Sequence, residues 1–210
     1  MQINSAIRAL LGATAVAAAF AVSAPVMAQA TTVSVSPGGT FTATGAGAVT
    51  KGTTTISCTV HFSGTLVAGA YPATVSGSTF TGSSVVGSVT ASSFTAGSPL
   101  CVSSSSVNLP WNVVATGGTF TGTRPTPADT VNLTFGNTSN TIDLRNTSIG
   151  DCVGNITGVL NTSTNTITIA AQAMTGVNPT TACHLHGPGT SDNSNPISLT
   201  LSPSTTVTVN

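Results

Sequence analysis

The sequence predicts an all-β protein: a β-sandwich or β-barrel-like domain of two diverged halves, braced by two disulfides, after an N-terminal signal helix. Three observations predict it. Apolar and polar residues alternate with a period of two, turn-forming clusters separate the alternating runs, and four cysteines follow an export signal.

The export signal occupies residues 1–30. Arg8 supplies a basic start, Ala9 to Val22 an apolar run, and Val26-Met27-Ala28 and Ala28-Gln29-Ala30 two small-residue exits. This order marks a secretory signal cleaved after Ala28 or Ala30. A membrane anchor fits less well, because the run is short and Ala-rich and no second long apolar stretch follows. The expected location is secreted, extracellular or on the cell surface.

The mature chain, 31–210, reads as one β domain with candidate pseudo-repeat halves at 37–116 and 117–210. The halves open on Gly38-Gly39-Thr40-Phe41-Thr42 and Gly117-Gly118-Thr119-Phe120-Thr121. Each reaches a cysteine followed by an apolar residue, a glycine and a leucine at equal offsets: Cys58, Phe62, Gly64, Leu66 and Cys152, Ile156, Gly158, Leu160. Phe94-Thr-Ala-Gly97 precedes Cys101, as Met174-Thr-Gly176 precedes Cys183.

Strands are expected where apolar residues alternate. These are Ile56 to Phe62, Val131 to Phe135, Ile142 and Leu144, Ile167 and Ile169, Ile197 to Leu201, and Val207 and Val209. Val107, Leu109, Trp111 and Val113 predict a further strand with Pro110 at an edge or bulge, and Trp111 as a core anchor. Pro37 to Gly39, Asn161 to Asn165 and Gly187 to Asn195 are turn clusters. An outer-membrane barrel would also alternate, but it calls for aromatic girdles, and aromatics are only 4% of this chain.

Four cysteines behind an export signal read as disulfides. The expected pairs are Cys58–Cys101 and Cys152–Cys183, which keep each bridge within one half. A zinc site built from all four cysteines is disfavoured, since no two of them are closely spaced.

Charge limits function. Charged residues are 4% of the chain and Glu is absent. The mature cations are Lys51, Arg124 and Arg145, and the acids are Asp129, Asp143, Asp151 and Asp192. Nucleic-acid binding needs clustered Lys and Arg and is not expected. Low net charge eases self-association and adsorption to surfaces.

Chemistry-bearing residues are few. His184 and His186 would share one face of a strand, a weak candidate pair for copper or zinc. His61 has polar neighbours on its face. Asp143 and Asp151 flank Arg145 and suggest a surface ion pair. No nucleophile elbow, glycosidase carboxylate pair or phosphate loop occurs, so neither enzyme activity nor a cofactor is expected. Asn-x-Ser/Thr triplets start at Asn132, Asn137, Asn146, Asn155 and Asn161, yet the signal has a bacterial form and glycosylation is not expected.

The ordered set Gly39-Thr-Phe-Thr-Ala-Thr-Gly45, Val49-Thr-Lys-Gly52, Thr54-Thr-Ile-Ser-Cys58 with Phe62 and Gly64, the Phe94-to-Cys101 segment and Leu109-Pro110-Trp111 resembles a known family. It is that of the small secreted bacterial protein activators of alkane oxidation (PraA/PraB-like). The resemblance runs from about Ser36 to the C-terminus, with a longer second half around Thr123 to Thr147. It implies a non-catalytic accessory role in hydrocarbon use, by dispersion or adhesion at the oil-water interface, with hydrocarbon or cell-surface components as partners. It supplies no catalytic residues. The alternative is a structural subunit of a surface fibre, biofilm matrix or adhesin, adding strands through Thr31 to Ser36 or Thr205 to Val209.

Overall fold

A computed structural model describes residues 31–136, 138, 141–189 and 194–210. The signal segment, Asn137 and Asp192 lie outside the described residues. The strands are β1 (Thr32–Ser36), β2 (Gly39–Lys51), β3 (Thr54–Leu66), β4 (Gly69–Pro72), β5 (Thr74–Ser76) and β6 (Thr79–Gly97). A 3-10 turn, Pro99–Ser103, leads into β7 (Ser104–Val107), β8 (Trp111–Phe120), β9 (Thr126–Phe135) and β10 (Ile142–Asn146). Then come β11 (Asp151–Gly154), β12 (Ile156–Asn161), β13 (Thr166–Ile169), β14 (Gln172–Val177), β15 (Cys183–His186), β16 (Ile197–Ser202) and β17 (Thr206–Val209).

Antiparallel ladders close a barrel of eight strands in the order β2, β3, β6, β8, β9, β12, β13, β16 and back to β2. The period-two pattern dictates this arrangement, because alternate side chains point to opposite faces of a strand. Ile197, Leu199 and Leu201 of β16 point in, and Ser198, Thr200 and Ser202 point out. In β9, Val131, Leu133 and Phe135 are buried. The inner face is apolar and the outer face is Thr and Ser, the reverse of a bilayer-spanning barrel.

The barrel continues below this ring. β2, β3 and β6 are long enough to run on unbroken, while β7, β10, β11, β14 and β15 extend the other five positions. Ladders join β3 to β2, β2 to β15, β15 to β14, β14 to β11, β11 to β10 and β10 to β7. The lower wall thus repeats the upper order. The expected strand through Val107 to Val113 is instead two strands. Pro110 has no N–H to give a ladder, and Asn108 takes φ +61, so the chain breaks between Val107 and Trp111.

β1, β17 and β4 close the upper end. β1 pairs with both β17 and β4, and β17 also reaches β9. The expectation that the terminal strands offer free edges is therefore corrected: both sides of β1 are occupied, and β17 is held between β1 and β9. Val33, Val35, Val207 and Val209 seal the barrel core from this end.

The disulfides close the lower end as Cys58–Cys101 and Cys152–Cys183. Each contributes about 4 kcal/mol in the chain-entropy account of loops this long. Their surroundings match: Cys58 lies opposite Gly97, and Cys152 opposite Gly176. The Gly-Gly-Thr-Phe segments do not match, since the first opens β2 and the second ends β8.

Gly64 shows how tightly the wall is drawn. A Cβ there would stand 2.0 Å from the Ser88 carbonyl oxygen and 2.8 Å from the Phe41 ring. Gly64→Ala is expected to cost about 1–3 kcal/mol, lowering Tm by roughly 2–12 °C. Thr40→Ala on the outer face should stay within about 0.5 kcal/mol. Thermal unfolding of the two variants checks both values.

Candidate functional site

Among the described residues, apolar cavities lie in the upper and in the lower part of the barrel. The upper, of about 50 Å³, is lined by residues such as Phe41, Leu133 and Val207. The lower, of about 60 Å³, is the candidate site. Its wall takes Ile56, Val60, Phe62 and Phe94 from β3 and β6, and Leu144, Ile169 and Ile197 from the later strands. Ser104, Ser105, Arg145 and Asn146 contribute the polar part of the lining. So apolar a lining offers water few partners and suits a nonpolar guest.

Asn146 holds the floor together. Its Nδ2 donates to the Leu100 carbonyl at 2.9 Å and lies 2.9 and 3.1 Å from the hydroxyls of Ser104 and Ser103. Its Oδ1 accepts from the backbone N–H groups of Ser148 and Ile149. One buried amide thus ties the 3-10 turn and β7 to the loop after β10. This use of Asn146 could not be read from its position in an Asn-x-Ser triplet.

Lys51, at the end of β2, is buried. Its Nζ donates to the carbonyls of Asp151 and Val177, both at 3.0 Å, pinning β2 to β11 and β14. Burial pushes the ammonium below its ordinary pKa, and the charge of Asp151 pulls the other way.

Arg145 pairs with Asp143 at 3.0 Å and lies 3.6 Å from Asp151. Asp143 is itself buried, and its Oδ1 meets no protein donor. The arrangement is an ion-pair cluster at the wall, more enclosed on the Asp143 side than a surface pair.

The histidine pair is corrected. His184 is exposed, while His186 is fully buried at the end of β15, so the two do not meet on one face. His186 turns inward because its Nδ1 donates to the Gly187 carbonyl at 2.7 Å and its Nε2 accepts from Thr50, whose hydroxyl also meets Thr55. His61 lies between the Thr44 and Thr95 hydroxyls. Among the described residues no three His, Cys, Asp or Glu side chains converge as metal ligands.

Trp111, the chain's one tryptophan, is 1% exposed. It packs edge-on against Phe62 with centroids 5.8 Å apart, and its Nε1 donates to the Val107 carbonyl. It therefore stands at the break between β7 and β8, next to a wall residue of the lower cavity. The sequence indicated Trp111 but not the cavity, whose lining comes from strands far apart in the chain.

Across residues 5–210 the chain matches the family described as alkane oxidation protein activator PraA/PraB-like. No curated protein and no solved structure matches it.

Asn146→Ala takes the Oδ1 acceptor from the Ser148 and Ile149 N–H groups, of which the Ile149 one is buried, while the Leu100 carbonyl keeps the Ser103 and Ser104 hydroxyls. It is expected to cost about 1–3 kcal/mol. The fall in urea midpoint, at unchanged m, measures it.

Proposed function

The chain belongs to the PraA/PraB-like family of alkane oxidation protein activators, and on that premise we propose that the mature protein is an exported, non-catalytic accessory of hydrocarbon utilisation that acts at the oil-water interface. The two disulfides fit an oxidising, extracytoplasmic compartment.

The observation that carries the proposal is the outer wall. It is built largely from Thr and Ser and carries few charges, of which Arg124, Asp129 and Arg145 are exposed and each is bonded to a protein neighbour. Lys51 and Asp143 are buried, Arg145 is paired with acids, and Arg124 is bonded to the Asn210 carbonyl and the Thr31 hydroxyl. Dehydrating a charge costs far more than dehydrating a hydroxyl that already has a neighbour. Paired hydroxyls such as Thr119 with Thr130 across β8 and β9 lower that cost further and leave Thr methyl groups to meet oil. Val67 and Val85, both exposed, add apolar area on one side of the barrel.

Dispersion and adhesion would both follow from such a wall. The fibre alternative loses its simplest route, because the terminal strands are occupied. Self-association through another surface is read by sizing the mature protein: a monomer fits the interfacial accessory, and a stable polymer fits a fibre subunit.

Hexadecane–water interfacial tension tests the proposal. Mature protein with intact disulfides is expected to lower the tension, and reduced, alkylated protein to lower it less. No drop, or an equal drop from the reduced chain, would remove the basis for an activity of the folded barrel.

A further inference from the structure

The lower wall has one discontinuity. Its neighbouring strands are joined by backbone ladders except at β6 and β7, which pack side by side with no ladder between them among the described residues. The break at Asn108 to Pro110 produces this seam. β8 pairs with β6 from Thr79 to Val89, whereas β7 leaves β6 and pairs with β10. Parting β6 from β7 therefore breaks no backbone ladder, unlike parting any other pair in the wall.

Each side of the seam carries a serine aimed inward. Ser92 of β6 lies opposite Phe62, and Ser106 of β7 opposite Leu144. Phe62 and Leu144 line the lower cavity, and cross-strand partners share a face, so both serines turn toward that interior, at the seam beside the lining rather than within it. Both hydroxyl oxygens are buried and bonded to no other protein group. A buried hydroxyl without a partner costs stability, and such groups call for an explanation.

We propose that the seam is the mouth of a binding site for one alkyl chain ending in a hydroxyl, a medium- or long-chain primary alcohol. The chain lies in the lower cavity and the hydroxyl bonds Ser92 and Ser106. The cavity is several times the roughly 10–15 Å³ that one water needs, and the chain seats as the seam widens. An alkane fills the cavity but leaves both serines unbonded. A fatty carboxylate would bring an unpaired negative charge into an apolar lining, a dehydration cost the neutral alcohol does not meet. The alcohol satisfies the serines with no added charge. The biological sense of this ligand rests on the hydrocarbon reading above, since a primary alcohol is an alkane with one oxygen inserted at its end.

Trp111, against Phe62, reports on occupancy. Titration with 1-octanol in a single aqueous phase is expected to change its emission saturably, with octanoate binding roughly tenfold more weakly. The double variant Ser92→Ala, Ser106→Ala removes two unbonded hydroxyls, so its Tm should be at or above that of the wild type. It should bind 1-octanol about tenfold more weakly. No saturable change in the wild type, equal affinity in the double variant, or octanoate as tight as octanol would each overturn the site. Hexadecane–water tension of the same variant reads the outer wall, so a failed titration beside unchanged tension rejects the pocket and leaves the interfacial reading standing.

Discussion

Closure of the backbone ladder is the constraint on which the rest of this protein depends. In a closed antiparallel barrel each strand has a partner on both sides, and the two faces become an inside and an outside. A chain with few charges and few aromatics can satisfy that division mainly with aliphatic residues inside and hydroxyl residues outside. Ile, Val and Leu fill the interior, Thr and Ser cover the exterior, and the core needs no large aromatic cluster beyond Phe41, Phe80, Phe120, Phe135 and Trp111. The ends are handled differently. The upper end is plugged by the terminal strands, whose valines join the main core. The lower end is clamped by covalent bonds, by Lys51 on two carbonyls and by Asn146.

The lower half of the barrel is where closure is incomplete. The Asn108 to Pro110 break sends β7 to β10, and the wall keeps its cylindrical course without a ladder at that one place. The Cys58–Cys101 bridge and the Ser98 N–H to Ser57 carbonyl bond hold the start of this segment to β3. The seam is thus flanked by a fixed end and by Trp111 at the other. A wall that is rigid on seven sides and unladdered on one has a defined direction in which it can yield.

Much of this was legible in the sequence. Alternation at Ile197 to Leu201 or Val131 to Phe135 is a direct imprint of a half-buried strand. Keeping each bridge within one half of the chain predicted the disulfide partners that the structure shows. Other parts were not legible for physical reasons. His184 and His186 share a face in an ideal strand, but β15 ends at His186, and bonds to Gly187 and Thr50 turn its ring inward. Gly117 to Thr121 resembles Gly38 to Thr42 in letters, yet one ends a strand and the other begins one, and composition does not encode that direction. Barrel rather than sandwich is decided by the β16–β2 ladder, a pairing between residues about 150 apart that no local pattern reports. The lower cavity escaped for the same reason: Phe94, Leu144 and Ile197 meet only after closure.

The functional account joins these parts. On the proposed reading, a folded, disulfide-closed barrel with a sparsely charged outer wall would act outside the cell on hydrocarbon. The most direct measurement is growth on hexadecane of a strain lacking this chain, with purified mature protein added to the medium. The account predicts that the folded protein restores growth on hexadecane, that a variant with all four cysteines changed to serine does not, and that growth on succinate is unaffected throughout. Failure of the folded protein to restore growth, or equal restoration by the serine variant, would contradict it.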